Sequence, residues 1–154
     1  MKTLYFAYGL DLEEHTMVEL CPSARFHSFA VIQGHRLSFT KTPEKGVGIA
    51  SFQMATFKNY LEGVLYEINH WEIPSEEGLG LQLKTMDVMT HEGVHLNAYT
   101  FQSELTEFCT PTQDYLLRLH KKYADYGFKM EYLEKALMDG IPDTNKAERR
   151  TPQP

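Results

Sequence analysis

The chain has 154 residues, 42% of them hydrophobic, 12% aromatic and 23% charged. That length fits one domain with a core of its own, and the composition excludes wholesale disorder. With 15 basic and 21 acidic residues the net charge is −6, which argues against nucleic acid or an anionic membrane as the main partner, because both need a basic footprint.

Cys21 and Cys109 belong to no Cys-x-x-Cys pair and make no disulfide framework. The opening MKTLYFAYGLDLEEH holds one lysine and a short apolar run broken by Gly9 and acids, so it lacks the stretch a signal peptide needs. No run approaches the ~20 apolar residues of a membrane span. A cytoplasmic protein with reduced thiols is the expectation.

In chain order, Leu4–Tyr8 reads as a buried strand ending at Gly9. Asp11 followed by Glu14 is a capping-box pattern and predicts a short helix from Leu12, closed at Cys21-Pro22. Residues 24–42 alternate loosely around Gly34, which predicts two strand pieces and a bend. Pro43–Gly46 predicts a turn, and 47–52 and 61–68 are further strands. Trp71–Glu77 predicts an irregular or helical turn closed by Gly78. Residues 83–90 and 95–101 flank His91-Glu92-Gly93 as a hairpin. Beyond Thr110-Pro111, residues 114–126 and 130–138 repeat apolar side chains every three or four positions and predict amphipathic helices. Gly127 and Gly140 stand at their C-caps. A domain over 1–140 and a mobile polar tail over 141–154 complete the reading. Strands first and helices last indicate an α+β fold.

His91-Glu92-x-x-His95 matches the HExxH pattern of zinc peptidases. That chemistry needs both histidines on one helical face, whereas Gly93 and strand-favouring flanks predict a hairpin tip. His15, His27, His35, His70 and His120 show no ligand spacing, and no metal or cofactor is expected. A more informative set is the strand-to-glycine loop at Tyr8-Gly9, the light strand at Gly46–Ile49, and Glu76-Glu77-Gly78 at an element boundary. Backbone N–H groups at such strand ends can hold a carboxylate or an oxyanion, and a shielded carboxyl beside them can act as general acid and base.

The segment LYFAYGLDL resembles the YFAYGSNL signature of the γ-glutamylcyclotransferase-like family. In the same order, GVGIASFQ resembles that family's Gly-Gly-Ile-Ala strand and LEGVLYEI its Val-Trp-Gly-Val-Val-Tyr strand. WEIPSEEG stands where the family has Leu-Asp-x-x-Glu-Gly, and 111–137 resembles its closing helices. The resemblance runs from about Thr3 to Leu137 and implies a small mixed β-barrel flanked by helices. It also implies a reaction without metal or cofactor, in which a γ-glutamyl amine cyclises to 5-oxoproline and releases its amine. Glu77 matches the catalytic glutamate. Glu76 is the register alternative, and Glu92, in the later Glu-Gly pair, is a decoy. Tyr8, Gly9, Leu10, Asp11 and Leu12 match the substrate loop, and Tyr115 matches a tyrosine lining the pocket.

Two positions depart from the signature. Leu10 removes a hydroxyl, and Asp11 puts an anion where the family carries Asn, close to the expected substrate carboxylate. A tyrosine that the family places shortly after the Glu-Gly pair is absent from LGLQLKT. The implied partner is a small molecule with a γ-glutamyl or similar group; a homodimer is compatible with the sequence. The alternatives are a divergent member of the fold that binds a metabolite or a protein without catalysis, and a zinc hydrolase at residues 91–95.

Overall fold

The computed structural model of the protein describes residues 1–43, 47–73 and 80–139. Its strands are β1 (Lys2–Ala7), β2 (Arg25–Gln33), β3 (His35–Lys41), β4 (Gly48–Met54), β5 (Tyr60–Asn69), β6 (Leu81–Thr90) and β7 (His95–Ser103). The helices are α1 (Glu14–Leu20), α2 (Gln113–Tyr126) and α3 (Met130–Met138), with 3-10 turns at Leu10–Leu12 and His70–Glu72. The strand and helix segments expected from alternation and helical spacing are all present. The turn over 43–46, the Gly140 cap and the tail over 141–154 fall wholly or partly outside the described residues.

Five strands close a barrel in the order β1-β5-β2-β6-β7. β5 runs antiparallel to both β1 and β2, with Phe6 opposite Leu65 and Phe29 opposite Val64. β6 and β7 form the expected hairpin, turning at Gly93 with φ +84°. The barrel closes where β1 runs parallel to β7, with Tyr5 beside Tyr99. This seam makes the barrel mixed. Side chains reinforce it: Thr100 Oγ1 donates to the Phe6 carbonyl over 2.8 Å, and the Tyr8 hydroxyl donates to the Phe101 carbonyl. Gly63 lets β1 and β5 come close, since a Cβ there would lie 2.4 Å from the Ala7 carbonyl oxygen.

The bend at Gly34, with φ +72°, separates β2 from β3. β2 stays in the barrel, while β3 pairs with β4 in a second, two-stranded sheet. Gln102 Nε2 donates to the Phe52 carbonyl over 2.8 Å and the Ser103 N–H to Ser51 Oγ over 3.0 Å, docking that sheet on β7. Residues 107–110 run along the sheet through Lys41 N–H to Glu107 O (3.0 Å) and Gly48 N–H to Thr110 O (3.1 Å). That path delivers the chain to the start of α2.

α2 buries Leu119 and Tyr123, and α3 buries Tyr132, Leu133 and Ala136. Gly127 ends α2 in the left-handed region, at φ 71°, and the Phe128 N–H returns to the Tyr123 carbonyl over 2.9 Å. This is the glycine C-cap that the sequence indicates. The start of α1 is tied to α2 by a part-buried ion pair: Arg118 Nε lies 3.1 Å from each oxygen of the N-cap Glu13, and Arg118 Nη2 also donates to Glu13.

Replacing Thr100 by Val keeps the shape and leaves the buried Phe6 carbonyl without that donor. The expected cost is about 1–3 kcal/mol in a denaturant titration. The Arg118 hydrogen bonds hold the Glu13 carboxyl below its ordinary value of 4.5. The pair therefore stabilises the fold above that pH and is lost as pH falls through the depressed value. Arg118→Met should cost about 1.5–3 kcal/mol near neutrality, and its deficit relative to wild type should shrink on acidification below 4.5.

Candidate active site

The site is built outward from the end of β1. The strand stops at Ala7 and the chain turns sharply through Gly9, with Leu12 N–H donating to the Gly9 carbonyl over 3.0 Å. The helix expected from Leu12 with an Asp11 cap does not form that way. Residues 10–12 make a 3-10 turn, and α1 starts at Glu14 with Glu13 at its N-cap and no side-chain cap bond. Asp11 is drawn elsewhere: Oδ1 accepts the Gly9 N–H over 3.0 Å, and Oδ2 accepts the Tyr5 hydroxyl over 2.6 Å. These two donors compete successfully with the helix-capping role.

Gly9 faces Tyr115 and Ala50. A Cβ on Gly9 would lie 3.3 Å from the Tyr115 hydroxyl and 3.4 Å from Ala50 Cβ. Tyr115 is placed by the first turn of α2, where its own N–H donates to the capping Thr112 Oγ1 over 3.2 Å. Its hydroxyl accepts the Ala50 N–H over 2.8 Å, and its ring meets Phe39 edge-on at 6.5 Å. The loop, the second sheet and α2 thus meet at one point.

Of the sequence-matched loop residues, Gly9, Leu10 and Asp11 are half-buried, and Tyr115 is half-buried beside them. Tyr8 and Leu12 are buried in the core. The Tyr8 hydroxyl is committed to Phe101 across the seam, and Leu12 offers the loop its backbone, whose carbonyl accepts the Tyr126 hydroxyl over 3.0 Å. Burial pushes the Asp11 carboxyl above the usual carboxylate range, against the opposing pull of Tyr5 and backbone N–H groups. Burial also raises Tyr8 and Tyr115, and the nearby Asp11 charge adds to both.

Glu76 and Glu77 lie outside the described residues. The chain enters their segment at Ile73, just after the 3-10 turn His70–Glu72. That turn is pinned by the Ser23 N–H donating to Glu72 Oε2 over 3.1 Å and by Cys21 Sγ donating to the Glu72 carbonyl over 3.2 Å. Burial pushes the Cys21 thiol up to about 11, and the carboxylates of Glu72 and Asp11 contribute to the shift. The chain leaves at Gly80, whose carbonyl accepts the Glu104 N–H over 2.8 Å.

His91, Glu92 and His95 are exposed on the β6–β7 hairpin, where His91 and Glu92 occupy the turn and His95 begins β7. His95 Nδ1 faces Asp87 Oδ2 at 2.9 Å. The single helical face that a zinc peptidase needs is not what this backbone provides, so the zinc-hydrolase alternative fails on geometry.

Sequence reading did not single out Tyr5, which orients Asp11, or Ala50, whose N–H orients Tyr115. The contacts join residues 6 and 65 positions apart. Tyr5 did stand inside the family-like LYFAYG string; Ala50 offered no signal beyond being small. Tyr115→Phe would leave the Ala50 N–H without its acceptor. A loss of about 1–3 kcal/mol in thermal or chemical unfolding is expected, with the Ala50 amide proton exchanging faster.

No protein-family model matches the sequence, and no curated protein matches it. Among solved structures, the chain is similar to one named γ-glutamyl cyclotransferase: 24% identity, TM-score 0.76, covering 88% of this chain and 86% of that one. It is also similar to the uncharacterized protein loc79017 from Homo sapiens, with 24% identity, TM-score 0.75 and the same coverage. The yeast γ-glutamyl cyclotransferase specific to glutathione is 13% identical with TM-score 0.60, over 90% of this chain and 94% of that one. At these identities the likeness is one of architecture. The closed mixed barrel, the accessory β3–β4 sheet and the terminal helices give this chain the γ-glutamyl cyclotransferase-like fold.

Proposed function

We propose that the protein cyclises a γ-glutamyl amine, forming a 5-oxoproline ring and releasing the amine. The observation that carries this reading is the convergence of Gly9, Ala50 and Tyr115 at the end of β1, on a fold shared with a γ-glutamyl cyclotransferase. Glu77 is assigned by its place in the order of family-like motifs, in the segment between Ile73 and Gly80.

The substrate's α-amine and γ-carbonyl belong to one molecule, so binding need only fold it into a near-attack shape. Glu77 takes a proton from the α-ammonium. The freed nitrogen attacks the γ-carbonyl carbon, the ring N–C bond forms, and the bond to the leaving nitrogen breaks. Glu77 returns the proton to that nitrogen, the ring nitrogen gives up its second proton to become the lactam N–H, and the released amine carries that proton away as its ammonium form. A carboxyl serving as both base and acid works best with its pKa drawn toward neutrality by burial. The Gly9–Leu12 backbone and the Tyr115 hydroxyl hold the substrate and meet the charge developing on the γ-oxygen. The resemblance implies that no metal or cofactor takes part.

A second reading, in which the fold binds a metabolite without turning it over, draws on Asp11, whose own carboxylate takes up the Gly9 N–H. Turnover separates the two. Incubation with a panel of γ-glutamyl dipeptides and amines, followed by mass spectrometry, should show 5-oxoproline-type product. Glu77→Gln should lower its rate roughly 10²–10⁴-fold while leaving the melting temperature in place. Full activity in that variant would reject Glu77 as the acid–base group.

A further inference from the structure

The loop after β1 already holds a carboxylate, and that carboxylate is its own. Gly9 N–H and the Tyr5 hydroxyl both donate to Asp11, one to each oxygen, at 3.0 and 2.6 Å. Tyr5 is buried in the barrel strand and is not free to swing away. Asp11 is half-buried, and its Oδ1 lies 3.8 Å from where a Cβ on Gly9 would stand, beside Tyr115 and Ala50. Among the described residues, Tyr5 and backbone N–H groups favour its charge, and Tyr8, Tyr66, Tyr115 and the Cys21 thiol share its electrostatic surroundings.

Resting on the cyclotransferase reading, we propose that Asp11 makes the site select γ-glutamyl amines whose α-carboxyl is already tied up as an amide. A free α-carboxylate brought to this loop would compete with Asp11 for the same N–H and would meet a like charge. An α-carboxamide has nearly the same shape, carries no charge and brings N–H donors. Asp11, an acceptor on both oxygens, is the complement of those donors. The reaction balances as before. The α-amine nitrogen bonds to the γ-carbon, the leaving amine departs as its ammonium form, and the product is a 5-oxoprolinamide rather than 5-oxoproline. The class includes glutaminyl or γ-substituted glutaminyl residues at the start of a peptide, whose α-carboxyl lies in the peptide bond.

The full-length protein can be titrated by NMR with 5-oxoproline and with 5-oxoprolinamide. In parallel, turnover of γ-glutamyl-alanine can be compared with that of its glutamyl α-carboxamide. Wild type should prefer the amide by roughly tenfold or more in binding and in kcat/KM. Asp11→Asn, which is isosteric and retains an acceptor for Gly9, should bring the two probes level or reverse the order; Asp11→Ser provides a second uncharged variant. Equal binding of the two probes by wild type, no binding of either, or an unchanged ratio in both variants would overturn the proposal. An amide preference lost in both variants, with no turnover of any substrate, would overturn the cyclotransferase reading and leave the selection by Asp11 standing.

Discussion

The parallel seam between β1 and β7 is the constraint on which the site depends. Every other junction in the barrel is antiparallel, in long registers except the short β2–β6 pairing at Ala30–Thr90 and Val31–Met89. At the seam, strands far apart in sequence must meet, and side chains secure the contact. The Thr100 hydroxyl bonds the Phe6 carbonyl, and the Tyr8 hydroxyl bonds the Phe101 carbonyl. These bonds are buried, where a lost partner is costly. With β1 held on both edges, the point at which it releases the chain is fixed, and Gly9 sits at that point.

A second layer of constraint comes from tyrosines. Tyr5 aims Asp11, Tyr115 receives Ala50, and Tyr126 caps the Leu12 carbonyl. Each hydroxyl joins the β1 loop or the β4 strand to a group from another element, and each ring adds apolar contact behind it. Such amphipathic side chains can satisfy a backbone group and pack a core together. The Glu13–Arg118 pair does the same work with charge, locking the start of α1 against the helix that carries Tyr115.

The electrostatic character of the site follows from one substitution relative to the family-like signature. An amide at position 11 would accept the Gly9 N–H without charge, whereas Asp11 accepts it with a charge that burial makes costly. The Gly9 N–H is then engaged before any ligand arrives.

Period-two and three-to-four-residue patterning sufficed for nearly all the strands and for both terminal helices, since burial of one face is a local demand. The Gly127 cap and the Gly93 turn were equally legible, because positive φ is written in the residue type itself. The ordered string of family-like motifs pointed to the barrel and to the Gly9–Leu12 loop. Whether Asp11 would cap a helix or bind back to Gly9 was a different matter: both uses satisfy a backbone donor locally, and the Tyr5 hydroxyl, brought in by the barrel strand, tips the balance. The split of β2 and β3 into separate sheets, the parallel closure at Tyr5 and Tyr99, and the meeting of Gly9 with Ala50 and Tyr115 were decided by tertiary structure. Each joins residues whose separation along the chain carries no periodic signal, so only packing could select among the pairings that local preferences allow.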